Sequence, residues 1–353
     1  MTGLRAVAAL MVLLSHSLGS GGGTALGAST RCLDVFFVLS GFLITALLLG
    51  QTHLRIHLYL TGFYIQRALR VLPALLVFLG FVVFAAATFA PHQLSGPTWG
   101  QVVPTCLYYL NWHTIATGVP PGGGMLLNAW TLSIEEQFYL VWPLVLLLLL
   151  RFGSRRIAVV VLLVGAVACT GWTAWLSTHG ATAARIEYGS DTRGVGLLLG
   201  CAAAIARSEG WLPIVRGRFG LLGIAGLALL FLFPVTIVAS APLASLAALV
   251  VILWVADAER APILDHPVLV AVGTVSYGLY LWQGPVLKML QVDVAPGPLL
   301  LIAGCLVLAA PVCLSYWLVE RPIWRLRTRL RRSARRAPVP VPRPLLPEAT
   351  PTG

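Results

Sequence analysis

The chain has 353 residues, 58% of them hydrophobic and only 10% charged, and its mean hydropathy is +0.88. This composition excludes a soluble enzyme, a disordered protein and a disulfide-stapled secreted domain, and it describes an integral membrane protein. The net charge of +12, from 24 Lys and Arg against 12 Asp and Glu, would suggest nucleic-acid binding in a soluble chain; here it reports membrane orientation, and no nucleic-acid partner is expected.

Apolar runs separated by loop punctuation predict an all-α integral membrane fold of about ten transmembrane helices forming one bundle. The spans fall near 4–19, 33–49, 71–90, 130–150, 157–176, 194–207, 220–238, 241–256, 268–290 and 298–319. An even number puts both termini on one side. The first run follows Arg5 and ends in small residues, as a secretory signal would. The glycine cluster at 21–23 and the apolar segment behind it instead read as span, loop and span. The run begins so close to Met1 that a start a few residues upstream is expected.

Titratable side chains inside spans are costly unless they face a polar cavity, so each marks a candidate site. His16 lies eleven residues after Arg5 in span one, three turns and about 16 Å along a helix, on nearly the same face. Arg5 is expected at the cytoplasmic mouth and His16 in the outer half; the plainer role for a lone histidine is a hydrogen bond to a neighbouring carbonyl. In CLDVFFVLSGFLIT (32–45), Asp34 sits at the outer end of span two, where a carboxylate can orient an imidazole and stabilise its protonated form. Pairing with Arg31 or capping the helix is the alternative. Ser40 and Gly41 read as small residues for close helix packing.

Arg67 and Arg70, three residues apart at the start of span three, share a face and can hold phosphate oxygens, or serve as ordinary inner-side charge. The stretch 91–129 has no Lys or Arg and reads as an external loop with Trp99, Tyr108, Tyr109 and Trp112 at the interface. In NAWTLSIEEQFYLVWP (128–143), Ser133 and Glu136 have capping-box spacing. That leaves Glu135 to enter the outer half of the bundle as a proton-transfer group. Gln137, Tyr139, Trp130 and Trp142 read as hydrogen-bonding and interfacial residues.

In SDTR (190–193), Asp191 and Arg193 neutralise neighbours or one another, or line an outer polar substrate site. Span nine holds SYGLYLWQGP (276–285), with Tyr277, Trp282 and Gln283 as acceptor-site or structural polar residues. Span ten ends in WLVERP (317–322), where Glu320 is expected to pair with nearby arginines. Residues 1–322 form the membrane domain, and 323–353 an Arg-rich, then Pro-rich, disordered cytoplasmic tail whose arginines attract anionic head groups. The six cysteines are scattered without metal-ligand spacing and read as packing residues, so no metal is expected. A cytoplasmic N-terminus places twenty of the 24 basic residues inside, leaving Arg31, Arg185, Arg193 and Lys288 outside or in the outer half of a helix.

In order along Gly3 to Pro322, GLRAVAALMVLLSH, DVFFVLSGFLIT, RALRVLPA, WTLSIEEQFYLVWP, SDTR, SYGLYLWQGP and WLVERP resemble the acyltransferase-3 family. These are integral membrane O-acyltransferases, bacterial enzymes that acylate cell-surface sugars and some secreted or antibiotic-type metabolites. The resemblance implies ten membrane helices with cytoplasmic termini in the bacterial inner membrane, and no bound cofactor. It implies acyl-CoA, expected to be acetyl-CoA, as cytosolic co-substrate. The acceptor is a hydroxyl of a sugar, glycan or secreted metabolite on the outer side, with partner proteins for its delivery. It places the catalytic histidine at His16 with Arg5 beside it, the family glutamate at Glu135, donor handling at Arg67 and Arg70, and further characteristic positions at Asp34, Asp191 and Arg193.

One position departs from the pattern: Gln283 stands where the family usually has histidine. Glutamine hydrogen-bonds but does not titrate, so a proton relay is not available there. No counterpart of the hydrolase-like domain fused to some longer members is expected here, and a second catalytic step is expected to need another protein. The expected reaction has His16 as general base, held by Glu135 or Asp34, with a covalent acyl-histidine relay as its variant. The competing reading is a proton-coupled transporter or flippase of an anionic or sugar-bearing substrate. An inactive relative serving as an assembly partner is a third, which Gln283 keeps open.

Overall fold

The computed structural model describes residues 1–17, 23–51, 56–90, 92–120, 123–233, 235–258, 263–290, 298–323 and 325, with side chains at all of these except 15–17, 23–30, 57, 93 and 298–301. In chain order the helices are α1 (Thr2–Ser17), α2 (Gly23–Leu49), α3 (Ile56–Thr88), α4 (His92–Cys106), α5 (Leu110–Thr117), α6 (Trp130–Phe152), α7 (Arg155–Thr178), α8 (Ala183–Tyr188), α9 (Ser190–Arg193), α10 (Val195–Ser208), α11 (Gly217–Leu232), α12 (Ile237–Asp257), α13 (Pro267–Thr274), α14 (Ser276–Met289) and α15 (Pro298–Ser315), the last continuing as a π-helical turn over Tyr316–Glu320. No strand occurs among the described residues.

Six helices, α2, α3, α6, α7, α12 and α15, are long and apolar enough to cross a membrane, and α1, α10 and α11 are apolar but shorter. The predicted ninth span is divided at Val275 into α13 and α14. The outward faces are apolar: on α7, Val160, Val164 and Val167 are 58%, 62% and 73% exposed at the i, i+4, i+7 spacing of one helix face. Apolar stripes turned outward are what a lipid-facing surface requires.

The centre of the bundle is the crossing of α2 and α10. A Cβ on Gly41 would lie 2.2 Å from the Leu197 carbonyl oxygen, and one on Gly200 2.2 Å from that of Val38, so the two backbones touch as small residues permit in membrane helices. Val35, Val38, Leu39 and Phe42 bury one side of α2 with Ala203, Ala204, Ala248 and Ile252.

Three expectations need correction. The stretch 91–129 is no open loop, because α4 and α5 fold within it. Gln101 on α4 donates to the Gly123 carbonyl at 2.9 Å and accepts from the Leu126 amide at 3.2 Å, and the Thr98 hydroxyl accepts from the Met125 amide at 2.9 Å, fastening 123–126 with Met125 and Leu126 fully buried. Second, α3 starts at Ile56 rather than near 71, so Arg67 and Arg70 lie well inside it. Tyr59 and Phe63 are buried one turn apart against Leu48, Tyr139 and Leu146, and this amphipathic packing extends the helix through residues too polar for a hydropathy reading. Its 33 residues make α3 about 50 Å long, well beyond the roughly 30 Å hydrocarbon core. Third, the capping box does not form. Helix α6 begins at Trp130, Ser133 already lies inside it with its hydroxyl on the Ala129 carbonyl at 3.4 Å, and Glu136 turns to Arg67.

Candidate active site

Two cavities meet at a waist formed by Arg5, Arg70 and Tyr277, which line both. The smaller, about 110 Å³, lies among α1, α2, α3, α6 and α14; its polar wall carries Ser40, Arg67, Glu135 and Tyr139, and its apolar wall Phe36, Phe37 and Leu43. The larger, about 540 Å³, is bounded by α1, α3, Thr274, Tyr277 and the π turn with Tyr316, Glu320 and Arg321. The first is below and the second within the roughly 300–1,000 Å³ typical of small-molecule sites, so only the end of a ligand fits the inner chamber.

The two arginines of the R-x-x-R motif have different work. Arg67 Nε donates to Glu136 at 3.0 and 3.3 Å, the guanidinium closes an ion pair with the same carboxylate, and it lies 3.8 Å over the Tyr139 ring. Its charge is already compensated. Arg70, exposed toward the larger cavity, and Arg5 make no side-chain hydrogen bond or ion pair among the described residues. Glu135 sits opposite, accepting from the Ser40 hydroxyl at 2.9 Å. Tyr280 bonds the Thr131 hydroxyl and the Asn128 carbonyl, and Tyr277 donates to the Val71 carbonyl at 3.2 Å. Two guanidinium groups with unspent N–H donors beside a single carboxylate, in a membrane bundle, leave a net positive site for a ligand that brings negative charge.

The model of the acyltransferase domain family matches residues 1–320. The chain belongs to the acyltransferase-3 family. It is 33% identical over 314 residues to the peptidoglycan O-acetyltransferase OatA of Listeria monocytogenes, covering 81% of this chain and 49% of that protein. It is 34% identical over 216 residues to the putative peptidoglycan O-acetyltransferase YrhL of Bacillus subtilis, covering 58% and 32%, and 29% identical over 350 residues to the O-acetyltransferase OatA of Staphylococcus aureus, covering 91% and 56%. The chain thus spans about half the length or less of these curated relatives. No solved structure matches it.

Of the family positions, Arg5, Arg67, Arg70, Glu135 and Tyr277 come together in this acyltransferase domain, so basic and acidic groups expected at opposite depths share one chamber. His16 lies on α1, eleven residues beyond Arg5, but its side chain is outside the described residues. Asp34 lines neither cavity; it is fully buried and paired with Arg193 at 2.9 Å. Asp191 pairs with Arg185 at 2.5 and 2.9 Å and accepts from Trp172 Nε1 at 2.8 Å. Partial burial opposes its ionisation, but these hydrogen bonds prevail and hold its carboxyl below the usual range.

Trp282 packs edge-on to Phe78 and Phe81, and Gln283 is buried with neither side-chain polar atom hydrogen-bonded among the described residues. Glu320 closes no direct ion pair among the described residues, but it lines the larger cavity with Arg70 and Arg5, both of which attract it. No cluster of three His, Cys, Asp or Glu side chains among the described residues could hold a metal ion. Sequence reasoning missed Ser40, read only as a packing residue, and Tyr280. The i, i+3 spacing of Tyr277 and Tyr280 was the available signal for the latter.

Proposed function

We propose that this acyltransferase domain moves an acyl group, acetyl in the simplest case, from cytosolic acyl-CoA to a hydroxyl of a cell-envelope glycan on the outer side of the inner membrane. The observation that carries the proposal is the pair of arginines with unspent N–H donors, Arg5 and Arg70, at the junction of the two cavities opposite Glu135. The names of the relatives point to a peptidoglycan acceptor; a secreted metabolite would meet the same chemistry. In this reading the chain crosses ten times, with α13 and α14 as one broken crossing, and both termini are cytoplasmic, consistent with twenty of 24 basic residues on that side.

Arg5 and Arg70 draw the anionic donor to the waist and its thioester enters the small chamber. His16 takes the proton of the acceptor hydroxyl as the oxygen attacks the thioester carbonyl. The carbon–sulfur bond breaks, and the coenzyme sulfur leaves with the proton that His16 returns. Glu135, fixed by Ser40, balances the positive charge of the site as the imidazole is protonated. Arg67, neutralised by Glu136, holds the wall. Asp34 acts as a brace through Arg193 rather than as a reactant.

The test is a reconstituted assay in vesicles with acetyl-CoA inside and a peptidoglycan fragment outside. Acceptor-dependent release of coenzyme thiol by the wild type, abolished in His16→Ala and strongly reduced in Glu135→Gln, is the expected result. Full activity of His16→Ala overturns the mechanism, and movement of unmodified glycan without thiol release assigns the chain to transport instead.

A further inference from the structure

The larger cavity holds groups that the transfer chemistry does not use. Arg321 lies with its guanidinium 3.9 Å over the Trp317 ring, which fixes its position while leaving its five N–H donors unspent, since it makes no hydrogen bond or ion pair among the described residues. With Arg5 and Arg70 it gives this cavity three guanidinium groups that make no side-chain hydrogen bond or ion pair among the described residues, against the one carboxylate of Glu320 on the same wall. The same wall also carries Glu320, whose Oε1 is buried with no donor among the described residues, and the rings of Tyr277 and Tyr316. The wall is presented where α15 widens into the π turn over Tyr316–Glu320, a distortion that concentrates at functional sites.

This mixture of demands selects among ligands. A free phosphate satisfies the arginines but leaves the rings without a partner and gives Glu320 no donor beyond the neighbouring Ser315 hydroxyl. A phosphoethanolamine head group adds an ammonium but no ring, and its acyl tails belong in lipid. A nucleotide bearing several phosphates supplies all three: anionic oxygens for the arginines, hydroxyl and amino donors for the carboxylate, and a planar base for a tyrosine. The cavity's volume of about 540 Å³ is in the range of small-molecule sites. Its continuation past Arg5 and Arg70 runs inward to Glu135.

We infer that this larger cavity is a nucleotide vestibule, in which Arg321 anchors the phosphates of the donor and Glu320 its ribose or base while the thioester arm passes the waist. The inference rests on the donor reading above only for where that arm leads; recognition of the nucleotide belongs to the vestibule itself. It also moves the phosphates away from Arg67, whose charge Glu136 already takes.

Two measurements on the full-length protein in nanodiscs test it. In the first, binding of adenosine 3′,5′-bisphosphate is measured for the wild type, Arg321→Gln, Arg321→Lys and Arg325→Gln, the last an exposed arginine outside the cavity. Binding weakened about 10- to 100-fold in Arg321→Gln, less in Arg321→Lys, and unchanged in Arg325→Gln is expected, as for loss of a charge-assisted hydrogen bond. Equal binding by all four, or none by the wild type, overturns the inference. So does a nucleotide effect that vanishes when anionic lipid is left out of the nanodisc, which assigns the site to lipid head groups.

In the second, the ratio of kcat/KM for acetyl-CoA to that for acetyl-pantetheine, a donor without the nucleotide, is compared. It falls about tenfold or more in Arg321→Gln. A variant that is merely misfolded lowers both donors alike and leaves the ratio unchanged, a result that counts against the vestibule. If the wild type releases no thiol from either donor yet binds the nucleotide through Arg321, the acyl-transfer reading falls and the vestibule stands.

Discussion

Replacing Arg193 by leucine takes its directly paired cation from a buried carboxylate, Asp34, and leaves it the weaker attraction of Arg31. Asp34 is 0% exposed and Arg193 5%, with 2.9 Å between the paired atoms. At an effective dielectric constant of about 20 their attraction is about 6 kcal/mol, close to the several kcal/mol per ion needed to desolvate both. The intact pair therefore contributes little net stability, whereas removal of one partner costs up to about 3–5 kcal/mol, because the remaining charge keeps its desolvation cost and retains only the weaker attraction of its other neighbours, Arg31 for Asp34 and Glu187 for Arg193. Arg193→Leu and Asp34→Asn should each shift the unfolding equilibrium by up to about two to four decades, and the double variant should recover most of that loss. The assay is SDS titration of the purified protein in mixed micelles, followed by tryptophan fluorescence. Single variants within 1 kcal/mol of the wild type, or a double variant as unstable as the sum of the singles, would refute the reasoning.

Gly200→Ala, whose Cβ would lie 2.2 Å from the Val38 carbonyl oxygen and 2.8 Å from the Phe42 amide, should cost about 1–3 kcal/mol in the same titration by forcing α2 from α10. Gly171→Ala, which meets nothing within 4 Å, should be neutral or stabilising. Glu136→Gln leaves Arg67 with a neutral partner and should cost about 1.5–3 kcal/mol, most of it recovered in Arg67→Gln/Glu136→Gln. The Asp191 carboxyl is held below its usual range, so its link to Arg185 stabilises the fold above the unfolded carboxylate pKa of about 3.9 and is lost as pH falls through the lower folded value. The Trp172 contribution to fluorescence, taken as wild type minus Trp172→Phe, should stay constant from pH 8 to 5 and change only below about pH 4; a change near pH 6 contradicts that assignment.

The apolar middles of the helices were legible because twenty consecutive residues facing lipid leave a strong local signal. Their ends were not. Residues 56–70 carry Tyr59, Gln66, Arg67 and Arg70, which a hydropathy window reads as loop, yet Tyr59 and Phe63 hold them in a helix through contacts with residues more than seventy positions away. Long-range pairing was likewise invisible: Arg67 finds Glu136 across 69 residues, and Arg193 finds Asp34 across a still longer separation. The preference for Glu135 over Glu136 agrees with the cavity for a different reason than the one first available. Glu136 is occupied by Arg67, not by a capping box, because α6 starts three residues before Ser133. Ser40 was read from its size and not its hydroxyl, and only the approach of α6 to α2 gives that hydroxyl a partner.

The contact of α2 with α10 at Gly41 and Gly200 bears on how the protein can move. Ser40, which fixes Glu135, is the residue next to Gly41, so the turn of α2 that touches α10 also sets one wall of the small chamber. Two backbones in contact cannot slide or rotate past one another without a clash, and these helices therefore travel as one rigid body. On the opposite wall, α13 and α14 meet at Val275, one residue from Ser276 and two from Tyr277 at the waist. The junction itself keeps its helical hydrogen bonds, the Val275 amide on the Ala271 carbonyl at 3.3 Å and the Val275 carbonyl accepting from the Leu279 amide at 2.9 Å, so the waist residues are carried on continuous hydrogen bonding.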